Sequence, residues 1–203
     1  MNYLAIDTSS SYLTVACSFD GKRTYKYLPD CKLNHSVVLN QTIEDVLNES
    51  GKTLNDVDVF ACVVGAGSFT GIRIGVSTIK AFSYALGKKV LGVTKFDVLA
   101  YNTDRRKTLT LIDAKNDNYY VQSFDKGVAS KPSFEGIEQI KKLYKGYQVV
   151  ADGHIDGLFD GKSDFLNGLY NAVEDKIDQA TFDRESLVPL YVKKSQAEEN
   201  ANA

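Results

Sequence analysis

The chain has 203 residues, 43% of them hydrophobic and 25% charged, with a net charge of −2. That is enough chain to bury a good core, and the balance is that of an ordinary globular protein, which argues against disorder. No apolar run reaches the ~18–20 residues needed to cross a bilayer, and a protein that grips RNA or DNA unaided usually carries a marked basic excess.

The N-terminus, MNYLAIDTSS, has no basic segment ahead of its apolar stretch, and Asp7 interrupts that stretch early, so it does not read as a signal peptide. Residues 3–6 form a first strand and 12–19 (YLTVACSF) a second, rich in β-branched and aromatic side chains. Asp20-Gly21 marks a turn, and residues 23–28 alternate as a third strand. Asn34 is placed to cap a helix running to about Ser50, with Leu39, Ile43, Val46 and Leu47 on one face and Gly51 as the stop. Residues 57–64 read as a buried strand, Gly65 to Phe69 as a tight loop, residues 70–86 as a helix ended by Gly87, and 89–93 as another strand.

The second half repeats this order loosely. Strands are expected over 108–114 and 119–125, joined by an Asn116-Asp117-Asn118 turn, then a helix over 136–145, a strand over 147–153 and a helical stretch from about Ile155. A repeated order of elements implies two similar α/β lobes of β-β-β-α-β-α type. The expected divisions are 1–100, 101–192 and a flexible polar tail over 193–203.

Chemistry-bearing residues are few. Asp7-Thr8-Ser9 lies at a strand tip, where hydroxyls and backbone N–H groups can meet a phosphate, although on this triplet alone an ordinary Asp/Ser turn is the preferred reading. The stretch from Gly65 to Gly75 (GAGSFTGIRIG) follows a strand and opens a helix, a place that favours an anion. Its glycine spacing is too long for GxGxxG, and no Lys follows as a P-loop requires. Gly51-Lys52-Thr53 and Gly161-Lys162-Ser163 lack the earlier Gly, since Val46 and Asp156 stand there. Asp113 and Asp152 follow apolar strand residues and read as turn formers. His35 and His154 form no HxxxH pair, and His35 reads as a capping or surface residue. Cys17, Cys31 and Cys62 form no CxxC pair; Cys17 and Cys62 look like core thiols and Cys31 an exposed loop residue, which suits a reducing cytoplasm. No metal site and no nucleophile–base pair is expected.

The 70–86 helix is apolar on nearly every side, with only Arg73 and Lys80 charged. Either it is wholly buried in one core, or one face is left for a partner. Gly71 and Gly75, four apart, leave room for another backbone to approach.

Taken together, LAIDTSSSYLTVA, His35-Ser36 with Leu39, and above all GAGSFTGIRIGVSTIKAFSYALGKKVLGV resemble the TsaB (YeaZ) family. Weaker similarity continues through Phe96 to Ala100, LIDAKNDNYYVQSF and PLYVKKSQAE. Ala66 stands where the family usually has Pro, and Lys115 where it has Arg. The resemblance implies an actin-like fold, that of the sugar kinases, heat-shock ATPases and actin (ASKHA). It also implies a non-catalytic subunit that binds and activates TsaD while TsaD transfers threonylcarbamoyl to the tRNA adenosine beside the anticodon. TsaE, an ATPase, would join the complex. A homodimer is expected when the chain is alone, with tRNA met only through the complex, no membrane contact, and a cytoplasmic location. No cofactor would be required, and Asp7, Thr8, Ser9, Gly65, Gly67 and Ser68 would be remnant phosphate loops with weak ATP or ADP affinity. The partner face would comprise Val37, Val38, Gly71, Ile74, Gly75, Thr78 and Phe82. The alternative is a stand-alone ATP-dependent kinase or acyl transferase of the same fold.

Overall fold

The computed structural model describes residues 1–31 and 34–193; of the expected tail, all but Lys193 lies outside them. In chain order the elements are β1 (Tyr3–Asp7), β2 (Leu13–Phe19), β3 (Lys22–Leu28), α1 (His35–Ser50), β4 (Val59–Val63), α2 (Phe69–Leu86), β5 (Lys89–Val93) and α3 (Lys95–Ala100). There follow β6 (Thr108–Asp113), β7 (Asn118–Asp125), β8 (Val128–Ala129), β9 (Ser133–Gly136), α4 (Ile137–Leu143), β10 (Gln148–Ala151) and α5 (Phe165–Lys176).

Two sheets form. The first has the order β3-β2-β1-β4-β5, with β1 antiparallel to β2 and parallel to β4. Its inner strands are buried on both faces, which is why they read as near-continuous apolar runs rather than alternating ones. Leu4, Ile6, Val15, Cys17, Phe60 and Cys62 form one core with Leu39 and Ile43 of α1 and Ile72 and Ile79 of α2. From the other face Tyr3, Ala5, Ala16, Val59, Ala61 and Val63 pack with Val98 of α3 and Leu169, Tyr170 and Val173 of α5. In the second sheet β6 repeats the place of β1, antiparallel to β7 and parallel to β10. Phe96, Leu99 and Ala100 of α3 pack with Ile112, Phe124 and Val150, so α3 lies between the two sheets.

Two expectations of local structure change, and three short elements are added. Asn34 sits at the start of α1 but makes no side-chain capping bond. The helix expected from Ile155 is a bridged turn from Ile155 to Phe159, because Gly153 (φ +112°) and Gly157 (φ +70°) hold left-handed conformations. The helix begins instead at Phe165, where the Asp164 side chain accepts from the Asn167 N–H at 2.9 Å. The short β8 and β9 and the six-residue α3 are additions. The sequence signal for α3 is Thr94-Lys-Phe-Asp97: Thr94 Oγ1 accepts from Asp97 N–H at 3.0 Å, and the Asp97 carboxylate accepts from Thr94 N–H at 2.9 Å.

Although it lies in the second half of the sequence, α5 packs on the first sheet. The segment beyond it follows: Thr181 bridges to Val90 on the edge strand β5, and Leu190 N–H donates to Val64 C=O at 2.7 Å.

Candidate functional site

The turn between β1 and β2 is the hub of the molecule. Asp7, Thr8 and Ser9 are all buried. Asp7 Oδ1 accepts from Ser9 N–H at 2.8 Å and from Ser9 Oγ at 2.6 Å, while Asp7 Oδ2 accepts from the Tyr12 hydroxyl at 3.0 Å. Thr8 Oγ1 donates to the Gly71 carbonyl of α2 at 2.7 Å. His35 opens α1 and is buried, with Nε2 2.9 Å from the Tyr12 carbonyl; it is a structural anchor rather than a surface or capping group. The Cys31 N–H donates to Ser11 C=O at 2.6 Å, which draws Cys31 under the hairpin. Its thiol is therefore buried, not exposed, and burial raises its pKa. Burial likewise pushes up the Cys62 thiol, with Asp7 nearby adding to the effect.

Into this turn, from α3, runs Lys95, with a fully buried side chain. Its Nζ lies 3.5 Å from Asp7 Oδ2 and 3.4 Å from Asp152 Oδ2, and it donates to Ser10 Oγ at 2.9 Å and to the Tyr12 hydroxyl. Ser10 Oγ also donates to Asp152 at 2.9 Å. The Tyr12 and Phe165 rings sit 4.3 and 4.5 Å from the ammonium. Burial, with Asp7 and Asp152 close by, holds the Tyr12 hydroxyl far above its usual pKa, so it stays protonated and donates to Asp7. Asp152, at the end of β10, is thus more than a turn former: it carries the second lobe's contribution to the site. Asp113 is not; it pairs with Lys115 in its own hairpin.

The second expected loop packs directly on the first. Ser68 N–H donates to Ser9 C=O at 2.7 Å, and a Cβ on Gly67 would collide with that same carbonyl. Ser68 Oγ caps α2 by accepting from Gly71 N–H at 3.2 Å, and Gly65 C=O accepts from Lys95 N–H at 2.6 Å. An actin-like fold implies a magnesium nucleotide between its lobes, and these residues do not fit its phosphates. The hydroxyls of Thr8, Ser9 and Ser68 already have protein partners, Asp7 and Asp152 face an ammonium, and the two loops are in contact. An open cleft of about 1330 Å³ does lie nearby, between Tyr25 and Tyr27 of β3 and the 153–166 segment, with Phe165 in its wall. Among the described residues no group of three or more His, Cys, Asp or Glu side chains is placed to hold a metal ion.

The expected partner face divides. Gly71 and Gly75 point inward: a Cβ on Gly71 would strike the Thr8 carbonyl, and one on Gly75 would lie 2.7 Å from Thr8 Oγ1. Their role is to bring α2 against β1, and they form no groove for a second molecule. Val38 is half-buried against the core rather than exposed. Val37 is 75% exposed; Ile74, Thr78 and Phe82 are half-buried along one flank of α2, where Ile74 and Phe82 pack against the core as Val38 does, and Tyr84, at 81% exposure, lies on the other flank. A hollow of about 330 Å³ lies between α1 and the Leu54 turn, with Ile43, Leu47 and Phe82 in its wall.

A family model described as TsaD: tRNA N6-adenosine threonylcarbamoyltransferase matches residues 29–146, more than half of the chain. Among curated proteins, a tRNA threonylcarbamoyladenosine biosynthesis protein TsaB of Buchnera aphidicola (Schizaphis graminum) is 29% identical over 164 residues, covering 74% of this chain and 78% of its own. The Bacillus subtilis protein of the same description is 32% identical over 102 residues, 50% of this chain and 44% of its own. The chain belongs to the TsaB (YeaZ) family. The match thus spans most of one relative and less than half of another. The solved structure of YeaZ from Pseudomonas aeruginosa superimposes with a TM-score of 0.70 at 21% identity, over 94% of this chain and 99% of that one. At that identity the likeness speaks for the fold, which is the duplicated actin-like one that the strand order describes. Among the described residues no helix is long and apolar enough to cross a membrane.

Proposed function

We propose that this chain is a non-catalytic subunit that binds and activates TsaD for transfer of a threonylcarbamoyl group to the tRNA adenosine beside the anticodon. It works in the cytoplasm, with TsaE joining the complex and tRNA reached through it, and it pairs with a second copy when TsaD is absent. The reading is supported by membership of a family whose relatives are named for threonylcarbamoyladenosine biosynthesis. The observation that carries it is the state of the interlobe site: the groups that would serve a phosphate or a metal are committed to one another around Lys95. The binding face is the flank of α2 beside α1, around Val37, Ile74, Thr78 and Phe82. Its apolar area is what a partner would cover.

Reconstitution tests this directly. TsaD, TsaE, tRNA and the threonylcarbamoyl donor are combined with and without this chain, and modified adenosine is measured by mass spectrometry of digested tRNA. Modification should depend on the chain, and the chain alone should show no ATP turnover. Equal modification without it would overturn the proposal. Metal-dependent ATP hydrolysis by the isolated chain, lost in Asp7→Ala, would do so in favour of a stand-alone kinase or acyl transferase.

A further inference from the structure

Lys95 stands where neither local nor solvation energetics favours it. It is the first residue of α3, and a positive charge near a helix N-terminus opposes the helix dipole. Its side chain is fully withdrawn from water, which for an isolated ammonium is among the costliest arrangements in a protein. What offsets this is a shell drawn from both lobes: Asp7, Ser10 and Tyr12 from the β1–β2 hairpin, Asp152 from the end of β10, and Phe165 from the start of α5. Two carboxylates and two hydroxyls are hard oxygen donors, the set that divalent magnesium, calcium or manganese selects. Both carboxylates direct Oδ2 at the same nitrogen, and Asp152 belongs to the opposite lobe from Asp7.

We propose that Lys95 is a built-in counter-cation: its ammonium occupies the place of a divalent ion between Asp7 and Asp152 and ties the two lobes together without metal. The cation requirement of an actin-like interlobe site is met by the chain itself, so the closed arrangement is independent of nucleotide and of magnesium. This does not rest on the reading of TsaD activation, because it concerns only the closure of this chain.

The test is to remove the ammonium and offer a metal in its place. Lys95→Ala leaves an oxygen-lined space, whereas Lys95→Met fills the space with an uncharged chain of similar length. Thermal denaturation is followed with and without magnesium chloride, and manganese binding by electron paramagnetic resonance. The wild type should melt at the same temperature in both buffers and show no saturable manganese site. Lys95→Ala should melt lower, recover at least half of the loss in magnesium, and bind one manganese at least about tenfold more tightly than the wild type. Lys95→Met should melt lower with no recovery, and adding Asp152→Asn to Lys95→Ala should abolish the manganese site. Saturable manganese binding by the wild type that Asp152→Asn removes would overturn the proposal, as would Lys95→Ala that gains no metal. Should Lys95→Ala fail to fold, Lys95→Met with Asp152→Asn decides. A counter-cation requires the double variant to be more stable than Lys95→Met alone, and a simple sum of the two losses overturns it.

Discussion

The duplication places two hairpins at corresponding positions, β1–β2 in the first lobe and β6–β7 in the second, and the molecule uses them in opposite ways. The first turn is roofed by three helices: α2 through Thr8, α1 through the Tyr12 carbonyl, and α3 through Lys95. The second turn lies in solvent, with Lys115, Asn116 and Asp117 in the left-handed region and Asp113 paired to an exposed Lys115. Similar strand-turn-strand sequences, each with an Asp at the end of the first strand, become a buried hub and an open loop. The difference lies in what packs over them. A carboxylate under a helical roof must find partners for both its oxygens, and one in water need not.

The sharpest way to break this comparison is to remove the two aspartates in turn. Asp7→Ala leaves Lys95, Tyr12 and Ser9 without their shared acceptor inside the protein. Removing one member of a buried ion pair costs about 3–5 kcal/mol, and at ~2–4 °C per kcal/mol for a chain of this size the melting temperature should fall by roughly 10 °C. Asp113→Ala breaks a surface pair of the kind that contributes about 0–1 kcal/mol. Its melting curve should nearly overlie that of the wild type. Equal losses in the two variants would show that the first turn is not the hub described here.

The glycines extend the contrast with a smaller effect. Those of α2 permit close approach: a Cβ on Gly75 would meet Thr8, Ile6 and Cys62. In the second lobe Gly127 turns the chain at φ +80°, and a Cβ there would meet nothing within 4 Å. Gly75→Leu should therefore overpack the α2–β1 contact, costing about 1–3 kcal/mol, while the folded fraction binds its partner with unchanged affinity. Gly127→Ala should cost only about 1 kcal/mol, from backbone conformation alone. Calorimetric melts and a binding titration on the same samples separate the two. A tenfold loss of affinity in Gly75→Leu at unchanged melting temperature would return this residue to the partner face.

How far the sequence was legible follows from the range of each interaction. Strands β1 to β7 and helices α1 and α2 announce themselves through local apolar patterning and stop signals, since burial on a sheet is written into consecutive residues. The spacing of Gly71 and Gly75 speaks correctly of a close backbone neighbour but not of which side it lies on; only the packing shows that the neighbour is Thr8. Lys95 was missed, and no local signal could reveal it, because a lysine at the start of a helix normally reads as a surface residue. Its partners are 57 residues ahead at Asp152 and 88 behind at Asp7 in the chain, brought together only when both sheets close on α3. Helix α3 itself is too short for periodicity, although its Thr94–Asp97 capping box was there to be read.

The smallest expected effect concerns the loop that follows Asp152, where the second lobe does carry an ion-pair cluster, in solvent rather than under a roof. His154 Nε2 lies 2.7 Å from Asp156 and Nδ1 3.0 Å from Asp160. Two carboxylates can only accept, so both ring nitrogens must donate, and the arrangement is complete only for the imidazolium. The hydrogen bond to Asp156 is the main cause that raises the pKa of His154 above 6.5, with the charges of Asp156 and Asp160 adding to it. A group whose folded pKa is raised stabilises most below its unfolded value, and that contribution fades as pH rises through the folded one. Stability should accordingly fall slightly between pH 6.5 and the raised value, and the slope should flatten in His154→Gln. The ring is largely in water, so solvent screening keeps the change small. With only two histidines in the chain, proton nuclear magnetic resonance can follow His154 by itself. Its titration midpoint should lie above that of a free imidazole and move down in Asp156→Asn. A midpoint that ignores this substitution would mean that the contact does not form in solution. The second lobe would then have no charged cluster of its own, and the charge network of the interlobe region would end at Asp152.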